Sequence, residues 1–194
     1  MVGMTNIRGA SRINRDAGFS LIEVLLVVGI MGVVTSAAVV QIGASRRAMQ
    51  GDSGMRVVLS QLNTARELAV SQRRYMRVAF PSNNVIQILR EDTPVTTTTL
   101  FSIPIEGGIQ FVLMSGVPDT PDSFGRNAGV DFGSAVNVKF GPDGTLVNQD
   151  GVTTNGTVFV AIPNLTLTAR AVTVLGSTGR VRGYKWNGKS WVLA

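Results

Sequence analysis

Residues 18–23 read Gly18-Phe19-Ser20-Leu21-Ile22-Glu23 and join a short basic leader to a long apolar run. The leader, residues 1–18, carries Arg8, Arg12 and Arg15 against one acid, Asp16, a bias that keeps a segment on the cytoplasmic side of a membrane. From Val24 to Ser45 no charged side chain occurs. At about 1.5 Å of rise per residue, those 22 residues are long enough to cross a hydrocarbon core about 30 Å thick. A single membrane-crossing helix is therefore expected, with Glu23 the only charge near its start.

A secretory signal is the competing reading. It places its cleavage site behind small residues after the apolar core, and Ser36-Ala37-Ala38 fits that description. Against it, the apolar run continues through Val39, Val40 and Ile42, and the Gly-Phe-Ser-Leu-Ile-Glu stretch comes before the run. Glu23 adds its own argument. A carboxylate just inside an apolar helix costs about 2.5 to 3.5 kcal/mol on insertion scales, so it calls for a function and a partner.

In these residues the chain resembles the type IV pilin-like family. The resemblance implies a leader cut on the cytoplasmic side between Gly18 and Phe19 by a prepilin peptidase, which then methylates the new N-terminus at Phe19. It further implies that Glu23, fifth in the mature chain, is an assembly residue whose carboxylate meets the N-terminal amine of a neighbouring subunit in a fibre core. The expected organisation is a removed leader at 1–18, a transmembrane and fibre-core helix at 19–45, and a head at 46–194. The implied location is the bacterial inner membrane, single-pass, with a periplasmic head. Prepilin peptidase, other major and minor pilins or pseudopilins, and the membrane itself are the implied partners.

Composition agrees with one modest anchored domain. Of 194 residues, the roughly 120 left after the leader and a long helix suffice for one core. The precursor carries a net +6; without the leader, 15 cationic and 11 acidic side chains remain, a net +4. The chain has no cysteine and no histidine, which removes disulfides, thiol nucleophiles, the commonest catalytic base and the soft metal ligands. No enzyme and no cofactor are expected.

Beyond the apolar run the helical period continues in amphipathic form. Met55, Val58, Leu59, Leu62, Ala65, Leu68 and Ala69 make one stripe, and charged or amide residues mostly take the other faces. Gly51, Ser53 and Gly54 are expected to bend or melt the helix between its halves, since interior glycine costs about 1 kcal/mol relative to alanine. Arg73 and Arg74 suit its C-terminal end. After Tyr75 the pattern turns to β, with candidate strands at 76–80, 85–90, 100–105, 109–113, 136–140, 158–162, 171–175 and 180–186. Turn chemistry separates several of them, notably Gly141-Pro142-Asp143-Gly144. The fold class is α+β, one long N-terminal helix packed on an antiparallel head. Residues 115–134 read as a long loop, and 96–99, four threonines, as a short low-complexity run.

The Arg77-Val78-Ala79-Phe80 strand, the Phe140-Gly141-Pro142-Asp143-Gly144 turn and the terminal Gly179-Arg180-Val181-Arg182 resemble the GspH/FimT branch, which contains minor pseudopilins of type II secretion and minor pilins of type IV pili. Some of its pilus members bind DNA through a Gly-Arg-x-Arg element, matched here by Gly179, Arg180 and Arg182. After Asp150 no acid occurs, while Arg170, Arg180, Arg182, Lys185 and Lys189 are interleaved with Tyr184, Trp186 and Trp191. Cations with flat rings suit phosphates and bases. On a strand, Arg180, Arg182 and Tyr184 share one face, so two guanidinium groups can reach successive phosphates. The bland alternative is an edge protected by charge, with both tryptophans closing the core. Fibre assembly is the first reading and DNA a second candidate partner through Arg180, Arg182, Lys185 and Lys189. Asp143, Asn148 and Asp150 lack the spacing of a calcium loop and read as a solvated turn, with no metal. Asp119 and Asp122 read as turn residues.

Overall fold

The structure, a computed structural model, describes residues 20–92 and 96–194, without the side chains of 38–45. Gly18 and Phe19 lie outside the described residues. Contacts divide the chain into two units between Ile42 and Gly43.

The first unit contributes the start of α1, a helix that runs from Leu21 to Gln72. Its described side chains are exposed throughout, including Leu21, Ile22, Leu25, Met31 and Val33. Here the described side chains of the helix bury nothing in their own chain.

In the second unit α1 carries the predicted stripe. Met55, Val58, Leu62, Ala65 and Ala69 are buried, with Leu59 and Leu68 half-buried at its margins. The stripe meets Met76, Val78, Ile86, Ile88, Phe140 and Leu146 of one sheet, and Val158, Val160, Val172 and Val174 of another. Residues three and four apart on a helix stack on one face, which is why a spacing of 3-4-3-4 becomes a continuous core wall.

Two antiparallel sheets form the rest. The first contains β1 (Met76–Ser82), β2 (Val85–Glu91), β3 (Thr97–Pro104), β6 (Val138–Phe140) and β7 (Leu146–Asn148) in the order β3-β2-β1-β6-β7. The second contains β4 (Gln110–Phe111), β5 (Val130–Asp131), β8 (Gly156–Ala161), β9 (Arg170–Leu175), β10 (Arg180–Trp186) and β11 (Trp191–Leu193) in the order β11-β10-β9-β8-β4, with β5 also pairing β8. A short 3-10 turn, Thr166–Thr168, leads into β9.

The α+β expectation holds, and β10 has the expected bounds. Three differences have physical causes. The helix does not break at Gly51 and Gly54: these glycines let α1 approach its neighbours, since a Cβ at Gly51 would lie 2.5 Å from the Thr168 carbonyl oxygen and one at Gly54 2.8 Å from Ile109 Cγ2. Arg73 and Arg74 fall beyond the helix. Arg73 takes φ of +52° and the Arg74 N–H donates to the Ala69 carbonyl at 3.2 Å, a Schellman cap built on arginine where glycine is usual. Finally, the threonine run enters a strand, because β3 begins at Thr97 rather than at Leu100, while β5, β7 and β11 are too short for alternation to reveal.

The glycine contact carries a prediction with a sign opposite to helix propensity. Gly51→Ala should gain about 1 kcal/mol of propensity yet lose more from the forced shift against Thr168, for a net destabilisation of about 1 to 2 kcal/mol. Thermal unfolding of the detergent-solubilised protein, followed by circular dichroism, measures it; a raised midpoint would contradict the contact.

Candidate functional site

The N-terminal turn of α1 opens on Ser20, whose carbonyl accepts the N–H groups of Glu23 at 3.0 Å and Val24 at 3.1 Å. Glu23 thus stands in the first turn, where a carboxylate is favoured by the unpaired N–H groups of the helix start. Its side chain is exposed and borders a shallow hollow with Val24, Val27 and Val28. The apolar surface around it is too large and continuous to be ordinary soluble surface, and such patches mark interaction sites. Among the described residues no helix is long and apolar enough to cross a membrane; the apolar run of the sequence continues into 38–45, whose side chains lie outside the description.

The C-terminal basic residues sit on β10 and the turn after it. Alternation sends Val181, Gly183 and Lys185 toward α1 and Arg180, Arg182, Tyr184 and Trp186 to the opposite face. Contacts bear this out: Val181 packs on the main core and a Cβ at Gly183 would meet Leu59 at 3.0 Å. The expectation that Arg180, Arg182 and Tyr184 share a face is correct. Their availability is another matter.

Asp122 comes down from the loop over that face and takes three donors: Thr173 Oγ1 at 2.6 Å, Tyr184 Oη at 2.9 Å and Arg182 Nη1 at 3.0 Å. Tyr184 and Asp122 push the Arg182 guanidinium further above its ordinary value, and burial pushes the Tyr184 hydroxyl up, so the arginine stays charged and the tyrosine neutral near pH 7. Around this clamp the aromatics are spent on packing. Tyr184 is buried with Phe159 and Ala171, and Trp186 with Met114, Val117, Ala161 and Ala169. Trp191 packs edge-on to Trp186 and donates from Nε1 to the Pro118 carbonyl at 2.9 Å. Residues 112–129 therefore roof the outer face of the second sheet, and Asp122, expected to be a turn residue, is the pin that holds the roof.

Lys185 faces the helix and pairs with Asp52 at 3.1 Å. Arg170 joins the same carboxylate at 2.7 Å and also donates to the carbonyls of Ala48, Leu167 and Ala169. Arg170 is 4% exposed. Burial by itself would raise the Asp52 pKa, but the hydrogen bonds and charges of Arg170 and Lys185 outweigh it and hold the carboxyl below its ordinary value. Of the four cations named from sequence, Arg180 and Lys189 are exposed, and among the described residues neither is in an ion pair. Asp143 bonds Thr145, and Asn148 bonds the N–H groups of Asp150 and Val152, so both serve their own turns. No group of three or more acidic side chains able to hold a metal occurs among the described residues. Sequence spacing offered no route to Asp52 or Asp122, which lie 133 positions from Lys185 and 60 from Arg182 respectively.

Acid should test the Asp52 cluster. A carboxyl whose folded pKa is depressed contributes stability that is complete above its unfolded pKa, about 3.9, and is lost as pH falls through the folded value. The unfolding midpoint of the unaltered protein should therefore fall below about pH 4. Asp52→Ala, which strands the buried Arg170, should cost about 3 to 5 kcal/mol at pH 7 and flatten that acid limb; an unchanged limb would exclude Asp52 as its source.

Comparison with known proteins bears on the N-terminus first. Residues 13–39 match the family described as "Prokaryotic N-terminal methylation motif". Two crystal structures of the type IV minor pilin FimU of Pseudomonas aeruginosa are similar in fold. One, in space group P21, has a TM-score of 0.47 at 18% identity over 73% of this chain and 91% of that one; the other, in P65, has a TM-score of 0.45 at 19% identity over 68% and 90%. No curated protein sequence matches the chain.

Proposed function

We infer that the chain is a minor pilin or pseudopilin of the GspH/FimT branch, a structural subunit that prepilin peptidase processes and that initiates, caps or joins a fibre of a type IV pilus or type II secretion system. The observation that carries this reading is the methylation motif at 13–39 with Glu23 in the first turn of a helix whose apolar side chains from Leu21 to Val34 are exposed.

The chemistry follows from those residues. Cleavage between Gly18 and Phe19 removes three arginines and one aspartate and creates a new cationic amine at Phe19. N-methylation leaves that amine charged while blocking one of its hydrogens. Glu23 then gives the amine of a neighbouring subunit a countercharge inside an apolar helix bundle, where such a pair is far stronger than in water. Segment 19–45 serves first as the inner-membrane anchor and then as fibre core, and 46–194 is a periplasmic head that contacts other minor subunits. The mass of the membrane-purified protein checks the processing. It should lack Met1 to Gly18 and carry one methyl group on Phe19; an intact leader, or cleavage near Ala38, overturns the reading.

A DNA-receptor role is the second reading, and the ion pairs weigh against it. Arg182 is engaged by Asp122, Lys185 by Asp52, and the aromatic rings that could stack on bases are packed. Arg180 and Lys189 remain as exposed cations. If the head is a scaffold, Arg180→Ala combined with Lys189→Ala should leave DNA retention within about twofold at both 50 and 200 mM salt; a loss of tenfold or more at the lower salt, with a shallower salt slope, would instead establish phosphate contacts there.

A further inference from the structure

The edges of the two sheets are unequal. β11 and β7 are three residues long, β4 is two, and β7 is further covered by a bridge between Val147 and Thr153. β3 is different. It is the terminal strand of its sheet, eight residues long, and among the described residues it pairs on one side only, with β2 from Val85↔Pro104 to Glu91↔Thr97. Strand geometry turns about half of its backbone N–H and C=O groups away from β2, which makes an open template for another strand.

Natural edges are blunted by lysine, by inward charges, by proline within the strand, by bulges, by shortness or by a covering helix or loop. β3 reads Thr97-Thr98-Thr99-Leu100-Phe101-Ser102-Ile103-Pro104, with no charge along it and its proline at the very end. Of these devices it carries one bulge, at Leu100, where Ile88 pairs with Phe101 and Leu89 with Thr99; on either side of it the pairing is regular, over Thr97 to Thr99 and Phe101 to Pro104. The side chains that flank the edge are exposed, Phe101 at 44% among them. Such a strand accepts an extended, uncharged, β-branched segment, and the chain contains one: β3 itself. Placed antiparallel about a two-fold axis, two β3 edges present identical patterns to each other. No like charges oppose, and threonine or aromatic residues pair across the junction, combinations that favour antiparallel pairing.

We propose that β3 is a homotypic docking edge, through which two copies of this protein join their first sheets into one continuous antiparallel sheet. The contact is independent of the Phe19 and Glu23 chemistry and stands even if the fibre reading fails. It is isologous, so it closes at two copies and does not propagate.

The absence of cysteine from the chain permits a direct test. Full-length protein in detergent would carry one cysteine at a time, at Thr97, Thr99, Phe101 or Ser102, with Ser177→Cys in the exposed β9–β10 turn as the control for chance collision in micelles. On mild oxidation, the β3 cysteine nearest the two-fold axis should form covalent dimer at least tenfold faster than the control, with the rate falling on either side of it. Adding Thr99→Lys to a crosslinking variant other than Thr99→Cys should cut the rate at least tenfold while leaving the thermal midpoint within a few degrees. Rates equal to the control at all four positions overturn the proposal. So does insensitivity to Thr99→Lys, which would attribute the dimer to the apolar helices.

Discussion

The second unit depends on a buried guanidinium. Arg170 reaches from the first residue of β9 to the helix, where it bonds the Asp52 carboxylate and the Ala48 carbonyl, while its remaining N–H groups satisfy carbonyls of its own turn. Removing such a cation from water is costly unless every donor finds an acceptor, and here the partners are fixed in place by the helix and the 3-10 turn. One turn of α1 thereby becomes specific for one segment of the second sheet. The close approach of Gly51 to Thr168 lies in the same seam. Apolar stripes can slide along a sheet at modest cost; an ion pair of this kind fixes the register, and with it which side chains of β10 face the helix and which face the loop.

That register decides the fate of the C-terminal cations. Lys185 is drawn to Asp52 on the inner side, and Arg182 to Asp122 on the outer side. A run of positive charge that reads as a surface for polyanions is thus largely internal bookkeeping between β10 and what covers it on each face. The aromatics interleaved with it behave the same way, filling the space under residues 112–129.

Much of this was legible in sequence where a local rule applies. The stripe from Met55 to Ala69 follows the helical period and became the core wall; β1, β2 and β10 follow alternation; the Gly141 to Gly144 turn closes β6 onto β7 as its composition implies. What escaped was set by distance along the chain. Gly51 and Gly54 look like helix breakers until the backbone against them is known, and Asp122 looks like one more loop acid until Arg182, Thr173 and Tyr184 gather round it. Short strands such as β5, β7 and β11 owe their existence to a neighbour's edge rather than to their own alternation. At the N-terminus the reverse holds: Gly18 and Phe19 lie outside the described residues, and their meaning comes from sequence alone.

The late entry of β6 into the first sheet shapes how the chain folds. β1 pairs with β2 through a turn of two residues, yet its other edge, at Met76 to Val78, waits for Val138 to Phe140. The second sheet completes only with β10 and β11, the last ending at Leu193, and its strands supply part of the wall opposite the helix stripe. Non-local pairings of this kind require loop closure before they return any contact energy, so they slow folding and make it cooperative. Emerging N-terminus first, the chain would present the Met55 to Ala69 stripe long before its cover exists. Until the last strands arrive, that stripe is an exposed apolar surface, and the protein has every physical reason to need either rapid delivery of its C-terminal half or a temporary partner for the helix.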